Sequence, residues 1–300
     1  MTAPDPLNRQ RSLSTDDHVP LTPLKILSSG SQLQYRQRFL REALCDLLSS
    51  TEIAKRIFLQ GIAQRYRYSS LGLFWAFMPS VMIAVLLTVG QRAQIPGLTR
   101  GAIPPQVYGI FGLIMMQTFL EAMQSQRMFL SRYSHLLIRQ KIPVEGLILS
   151  GLAEANFAFI VRLPVIIAMF LFFNISPAAT VLLSFLGFFT IIALGAGLGL
   201  FLAPWNVLSR DLESLMYFFP WLLFGVTPVF VAVQPKSWAY HLYWLNPLTH
   251  VLEATRWLAY GVGEISAFAL LLFPLGILWL VSGWLFCRLC LPYIIERSLI

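Results

Sequence analysis

Charge is what this 300-residue sequence has least of: 12% of its residues are Asp, Glu, Lys or Arg, against about 25% in an ordinary soluble domain. A soluble core of this length needs a charged coat, and too few charges are present to make one. Cysteine is scarce as well. There are three, Cys45, Cys287 and Cys290. The last two are spaced C-x-x-C, but no second such pair and no His pair accompanies them, so they read as small hydrophobes rather than a zinc or redox site. His241 and His250 lack thiol or carboxylate company, and no metal site is expected. Nowhere does G-x-x-x-x-G-K-[ST] occur, so the usual phosphate-cradling loop is missing. Residues 1–30 lack the apolar stretch of a signal peptide. Rich in Pro, Ser, Thr and Asp, they are expected to form a disordered tail.

What fills the chain instead is apolar: hydrophobic residues make up 57%, and the mean hydropathy is +0.67. A helix that crosses a bilayer needs about 20 predominantly apolar residues. Runs of this kind predict six spans, at 71–90, 106–124, 147–172, 178–203, 214–233 and 265–287. The uncharged run from 163 to 209 is too long for one crossing, and Asn174-Ile175-Ser176-Pro177 marks a tight turn that divides it. Gly195, Gly197 and Gly199 in the fourth span lack the strand–turn–helix setting of a dinucleotide site. They read as small residues that let helices approach closely in lipid.

The formal net charge is +8. In a soluble chain that would point to nucleic acid; here the basic residues cluster beside apolar runs, and no nucleic-acid partner is expected. Seventeen Lys and Arg fall on the side that holds the N-terminal region, the loop after span 2, Arg210, Arg288 and Arg297. Four fall on the other: Arg92, Arg100, Lys236 and Arg256. Both termini are therefore predicted to be cytoplasmic. The predicted fold is an all-α integral membrane protein with six transmembrane helices over 69–290. Cytoplasmic interfacial helices over 31–68 precede it, and a cytoplasmic tail at 291–300 follows. The interfacial part mixes Leu33, Phe39, Leu40, Leu44, Leu47 and Leu48 with Arg36, Arg38, Arg41 and Glu42. That amphipathic pattern suits either a helix lying on the inner leaflet or a dock for a cytosolic partner. Arg65, Tyr66 and Arg67 stand at the membrane edge.

Three charges fall inside spans, where an ionisable residue costs roughly 2.5–3.5 kcal/mol. Glu121 lies in span 2, and Glu154 and Arg162 in span 3. The latter two are eight residues apart, about 12 Å along a helix. They cannot pair directly without help. Either these residues line a polar path for a hydroxyl-rich or phosphate-bearing substrate, or Arg162 pairs with a carboxylate on another span. An outer segment, 235–262, gathers Trp238, Tyr240, Tyr243, Trp244, Trp257 and Tyr260. It is either an aromatic belt at headgroup depth or a rim on which sugar rings stack. Asn246-Pro247 breaks it, which predicts two short re-entrant helices between spans 5 and 6.

Four motifs recur in one order: QRYRYSSLGLFWAFMP at 64–79, LLIRQKIPVEGLIL at 136–149, Arg210-Asp211 with Pro220 and Thr227-Pro228-Val229-Phe230, and Trp244-Leu245-Asn246-Pro247-Leu248-Thr249 with Glu253 and Arg256. Together they resemble the type 2 ABC exporter permeases over about residues 50–290, and most of all the branch that exports polysaccharides, O-antigens and polyol phosphates. The resemblance implies a non-enzymatic transport subunit in the bacterial inner membrane. It implies a homodimer with two separate ATPase subunits that bind the ATP and Mg, this chain holding no cofactor. It also implies a lipid-linked glycan as cargo. Segment 127–146 would be the coupling segment, with His135, Leu137, Ile138, Arg139, Lys141, Pro143 and Glu145 as its working residues. Trp75, Glu121, Glu154, Arg162, Tyr240, Tyr243 and Trp244 are the candidates for the substrate path. A drug, peptide or lipid exporter of the same family is the second reading. A membrane-embedded glycan transferase should show clustered Asp, Glu or His near a membrane face, and Asp211 with Glu213, two apart on a helix, point different ways. A secondary transporter favours internal repeats, and the two halves show none.

Overall fold

The computed structural model of the protein describes residues 36–67, 74–93, 103–133, 143–209, 211–230, 240–262 and 265–298. Over these residues every regular element is a helix: α1 (Arg36–Ser49), α2 (Thr51–Tyr66), α3 (Phe74–Arg92), α4 (Pro105–Arg132), α5 (Val144–Phe172), a 3-10 turn (Val181–Leu183) leading into α6 (Ser184–Leu208), α7 (Asp211–Val226), α8 (Tyr240–Leu245), α9 (Pro247–Tyr260) and α10 (Ala267–Ser298). Three of them are long and apolar enough to cross a membrane, Val144–Phe172, Val181–Leu208 and Ala267–Ile294, and Phe77–Arg92 is a shorter apolar helix. Prolines lie inside α3, α5, α6, α7 and α10. Membrane helices tolerate them because neighbouring helices satisfy the freed backbone groups.

Helix α4 is long, 28 residues or about 42 Å, yet it is the most polar of the long helices. Its position explains that composition. Nineteen of the 28 residues are buried, so protein rather than lipid meets Gln106, Thr118, Gln126 and Arg127. Helix α6 packs along it through small residues. A Cβ on Gly195 would overlap the Phe119 carbonyl oxygen, and one on Gly199 the Met123 carbonyl oxygen. On its other side Gly197 meets Trp279 of α10, and a Cβ on Gly283 would stand 2.8 Å from the Gly197 carbonyl oxygen. Without a hydrophobic drive between helices in lipid, such backbone-to-backbone approach is what makes packing favourable. Phe159 stacks on Phe188 at 4.4 Å, and Phe111 meets Phe188 edge-on at 5.5 Å, joining α4, α5 and α6 at the core.

Several helix limits differ from those predicted. Helix α4 runs eight residues past the expected end of span 2 at residue 124, so Arg127 and Arg132 are helical rather than in a loop. Arg127 is 1% exposed and donates to Gln124 Oε1 at 3.2 Å and to Asn206 on α6. Helix α7 stops at Val226, short of the expected 233, because Thr227 precedes Pro228 and a residue before proline is pushed out of the helical region. Helix α10 continues to Ser298, where a tail was expected from 291. Within the amphipathic pattern at 33–60, the described residues form two helices. Between them the Ser50 hydroxyl donates back to the Asp46 carbonyl, the local competition that makes serine a weak helix-interior residue.

The bundle has two distinct ends. At one, α1 and α2 lie against the start of α5, with Gly146 seated between Ile53 and Ser50. At the other, α9 covers the turn at 173–180, where Asn174 takes φ +51°, a left-handed conformation that asparagine tolerates. There the Ala178 N–H donates to Ala259 O at 3.0 Å, and the Thr180 hydroxyl to Leu258 O at 3.0 Å.

Candidate functional site

At the end carrying α1 and α2, helices α2, α4 and α5 enclose a cleft of about 390 Å³. It is lined by Arg65 from α2, Glu121 and Arg132 from α4, and Glu154 from α5. Gly61 of α2 faces the Glu154 carboxylate of α5, which a Cβ there would approach to 2.9 Å. Phe58 and Phe157 meet edge-on at 6.0 Å across the same contact. Glu121 is shared. Arg65 Nη2 donates to its Oε1 at 3.0 Å, and Arg162 Nη2 stands 2.6 Å from its Oε2. Arg132 Nη1 lies 3.7 Å from Glu154 Oε2. Glu154 and Arg162 therefore do not pair with each other; each takes a partner on α4. One interfacial residue and three substrate-path candidates, assigned to different roles from the sequence, form one cluster. Arg162 is buried, 8% exposed, and among the described residues its Nε and Nη1 have no hydrogen-bond partner.

The other path candidates lie apart. Trp75, on α3, is 57% exposed, and its ring meets that of Phe74 edge-on at 6.5 Å. Tyr240, Tyr243 and Trp244 sit on α8 at the opposite end, where Tyr240 and Trp244 lie 5.7 Å apart. Tyr66 ends α2, and its side chain lies outside the described residues. Arg67 follows, exposed.

Of the expected coupling residues, His135, Leu137, Ile138, Arg139 and Lys141 lie outside the described residues. Pro143 precedes α5, and its carbonyl accepts from the Gly146 N–H at 3.1 Å. Glu145 is buried, 3% exposed, and accepts from Arg288 Nη1 of α10. Arg288 Nη2 also reaches Asp46 Oδ2 of α1 at 2.7 Å, with its guanidinium 5.4 Å from the Phe39 ring. Arg288 thus clasps the start of α5 to α1 and α10.

Sequence reasoning counted Arg256 as an outer loop charge; it is 0% exposed. Its Nη1 donates to Glu253 Oε1 at 2.9 Å and Pro228 O at 3.1 Å. Its Nη2 donates to Tyr108 O at 3.0 Å and Val229 O at 2.9 Å, and its guanidinium stacks 3.4 Å over the Tyr108 ring. Tyr108 OH donates to the same Glu253 Oε1 at 2.6 Å. Gly112 leaves the room, since a Cβ there would overlap Arg256 Nη2 and Val229 O. One arginine so ties α9 to α4 and to the turn after α7. The available signal was its spacing of three from Glu253 on a helix. His250 is structural in the same way: Nδ1 lies 3.0 Å from Ser266 Oγ and Nε2 2.9 Å from Trp244 O, which fastens α9 to α8 and to the start of α10.

The sequence pattern of the ABC-2 type transporter family matches residues 54–260, from α2 to the end of α9. No curated protein matches the chain. The matched stretch contains the cleft, the glycine-packed helices and the Arg256 cluster, and it covers well over half of the sequence. The chain belongs to the ABC-2 type transporter family and is a membrane permease subunit of an ABC exporter, a kind of subunit that normally works with ATPase partners.

Proposed function

We propose that this permease moves a lipid-linked polysaccharide or related glycan outward across the inner membrane of a bacterium, as a homodimer of six-span subunits resting on two ATPase subunits. The Lys and Arg asymmetry supports cytoplasmic termini, with the end carrying α1 and α2 facing the cytoplasm. ATP and Mg bind in the partner chains. Helix α7 buries only Leu212, Met216 and Leu223 and exposes Leu215, Tyr217, Phe218, Trp221 and Leu222, which leaves sides for lipid and for a second copy. The exposed aromatic helix α8 at the opposite end supports a rim for sugar rings, whose apolar faces sit on aromatic planes.

The observation that carries the mechanism is how firmly the helices on either side of the basic segment 134–142 are tied. Glu121 ties α4, which precedes it in the chain, to Arg162 of α5, and Glu145 at the start of α5 is held with Asp46 of α1 by Arg288 of α10. A push on that segment by an ATPase subunit moves α4 and α5 as levers. In this reading His135, Leu137, Ile138, Arg139 and Lys141 meet the partner, while Pro143 and Glu145 fix the hinge. ATP supplies the differential free energy between the two states. The test is Arg139→Glu with Lys141→Glu: an ATPase should no longer co-purify, and surface display of the glycan should stop. Unchanged co-purification and display refute it.

A further inference from the structure

We infer that the cleft between α2, α4 and α5 is a binding site for a phosphate ester, held chiefly by Arg65 and Arg132. The cluster holds three guanidinium groups, Arg65, Arg132 and Arg162, against two carboxylates, Glu121 and Glu154, so it carries a surplus positive charge. A guanidinium has five N–H donors. Arg65 and Arg162 each bring one nitrogen to Glu121, and Arg132 comes no closer to Glu154 than 3.7 Å, beyond hydrogen-bond distance. Arg162 stands behind Glu121 with Nε and Nη1 buried and unpartnered among the described residues. Among the described residues Arg65 has one protein acceptor, Glu121 Oε1, and Arg132 has none within hydrogen-bond distance, so their remaining donors are open to the acceptor oxygens that a phosphate brings. Arg65 and Arg132, 55% and 50% exposed, line the cleft where a ligand reaches them. Gln64 and Gln124 add neutral amides to the wall. At about 390 Å³ the space takes a phosphate together with the group it esterifies.

The position fits as well. Helix α2 follows α1, whose Leu44 and Leu48 are 55% and 74% exposed, an apolar edge suited to a bilayer surface. A cleft beside it lies near headgroup depth, where phosphate esters are concentrated. The ligand is either a lipid headgroup or a soluble phosphate; the recognising chemistry is shared. This inference concerns the isolated chain and stands whatever the cargo and the ATPase prove to be.

The test uses the full chain in a non-ionic, sugar-free detergent, titrated calorimetrically with dihexanoyl phosphatidate, inorganic phosphate and trehalose. Phosphatidate should bind, and Arg65→Gln and Arg132→Gln should each weaken it roughly tenfold or more, since a charge-assisted hydrogen bond is lost. Glu154→Gln should tighten binding several-fold by removing a competing carboxylate. A merely structural ion cluster would not do that. Inorganic phosphate binding as tightly as phosphatidate identifies a soluble source, and preference for phosphatidate a lipid source. No binding at millimolar phosphatidate, equal binding by trehalose, undiminished binding by the folded, monodisperse Arg65→Gln/Arg132→Gln variant, or weaker binding by Glu154→Gln each overturns the proposal.

Discussion

Replacing Arg256 by alanine removes a group that is 0% exposed and serves four acceptors: Glu253 and the carbonyls of Tyr108, Pro228 and Val229. Three of those are backbone oxygens that no water reaches easily once the arginine is gone. Each costs about 1–3 kcal/mol when left unsatisfied, and breaking a buried ion pair from one side typically costs 3–5 kcal/mol. Relaxation of the turn at 227–230 absorbs part of this, so a net loss of about 4 kcal/mol is expected. At roughly 2–4 °C per kcal/mol for a chain of this size class, the melting midpoint should fall on the order of 10 °C. Arg256→Lys keeps the charge but loses the planar fork and the 3.4 Å stack on Tyr108, and should fall between wild type and alanine. The assay is the loss of monodisperse protein with temperature, followed by fluorescence-detected size exclusion in detergent. A midpoint for Arg256→Ala within about 2 °C of wild type would show that the cluster contributes nothing net and refute the reasoning.

Gly195→Leu should prevent recovery of folded protein, because its side chain overlaps the α4 backbone, whereas Gly225→Ala, with nothing within 4 Å, should match wild type; equal yields on gel filtration would contradict the α4–α6 seam. Glu121→Gln leaves Arg162 buried beside a neutral amide and should destabilise by about 3 kcal/mol, and adding Arg162→Met should recover most of that, a coupling read from a double-mutant cycle. Additive losses would show that the two side chains do not interact. Cys45 is exposed and Cys287 buried, so a membrane-impermeant maleimide should label Cys45 in inside-out vesicles and spare Cys287 until denaturation. Labelling of Cys45 from the outside would reverse the proposed orientation.

How much was legible varied with how local the cause was. The turn at Asn174 and the break at Asn246-Pro247 depend on a few adjacent residues, and both stand in the structure where the sequence placed them. The glycines at 195, 197 and 199 announced close approach, since small residues spaced along a helix have few other uses in lipid. Counting charges by side was less informative about place. It treats every arginine between spans as wet, and both Arg127 and Arg256 proved buried. For Arg256 the spacing of three from Glu253 hints at a partner but does not separate a solvated guanidinium from one that caps three backbone carbonyls; that difference lies in Gly112 and the 228–229 turn, far away in the chain.

The sequence by itself determined that this chain lives among lipids and is built of helices, because that much apolar surface is costly to expose, backbone polar groups without water are satisfied only in helices or closed barrels, and uncharged runs of about 20 residues suit helices rather than barrel strands. Only the tertiary structure decided which charges meet. Arg65, Glu121 and Arg162 come from three helices, 56 and 41 positions apart in the chain, and their pairing depends on the rotation and vertical offset of those helices, set by close contacts such as Gly195 on the Phe119 backbone. Periodicity along one helix carries no information about that offset, so the cleft came into view only when the helices were packed.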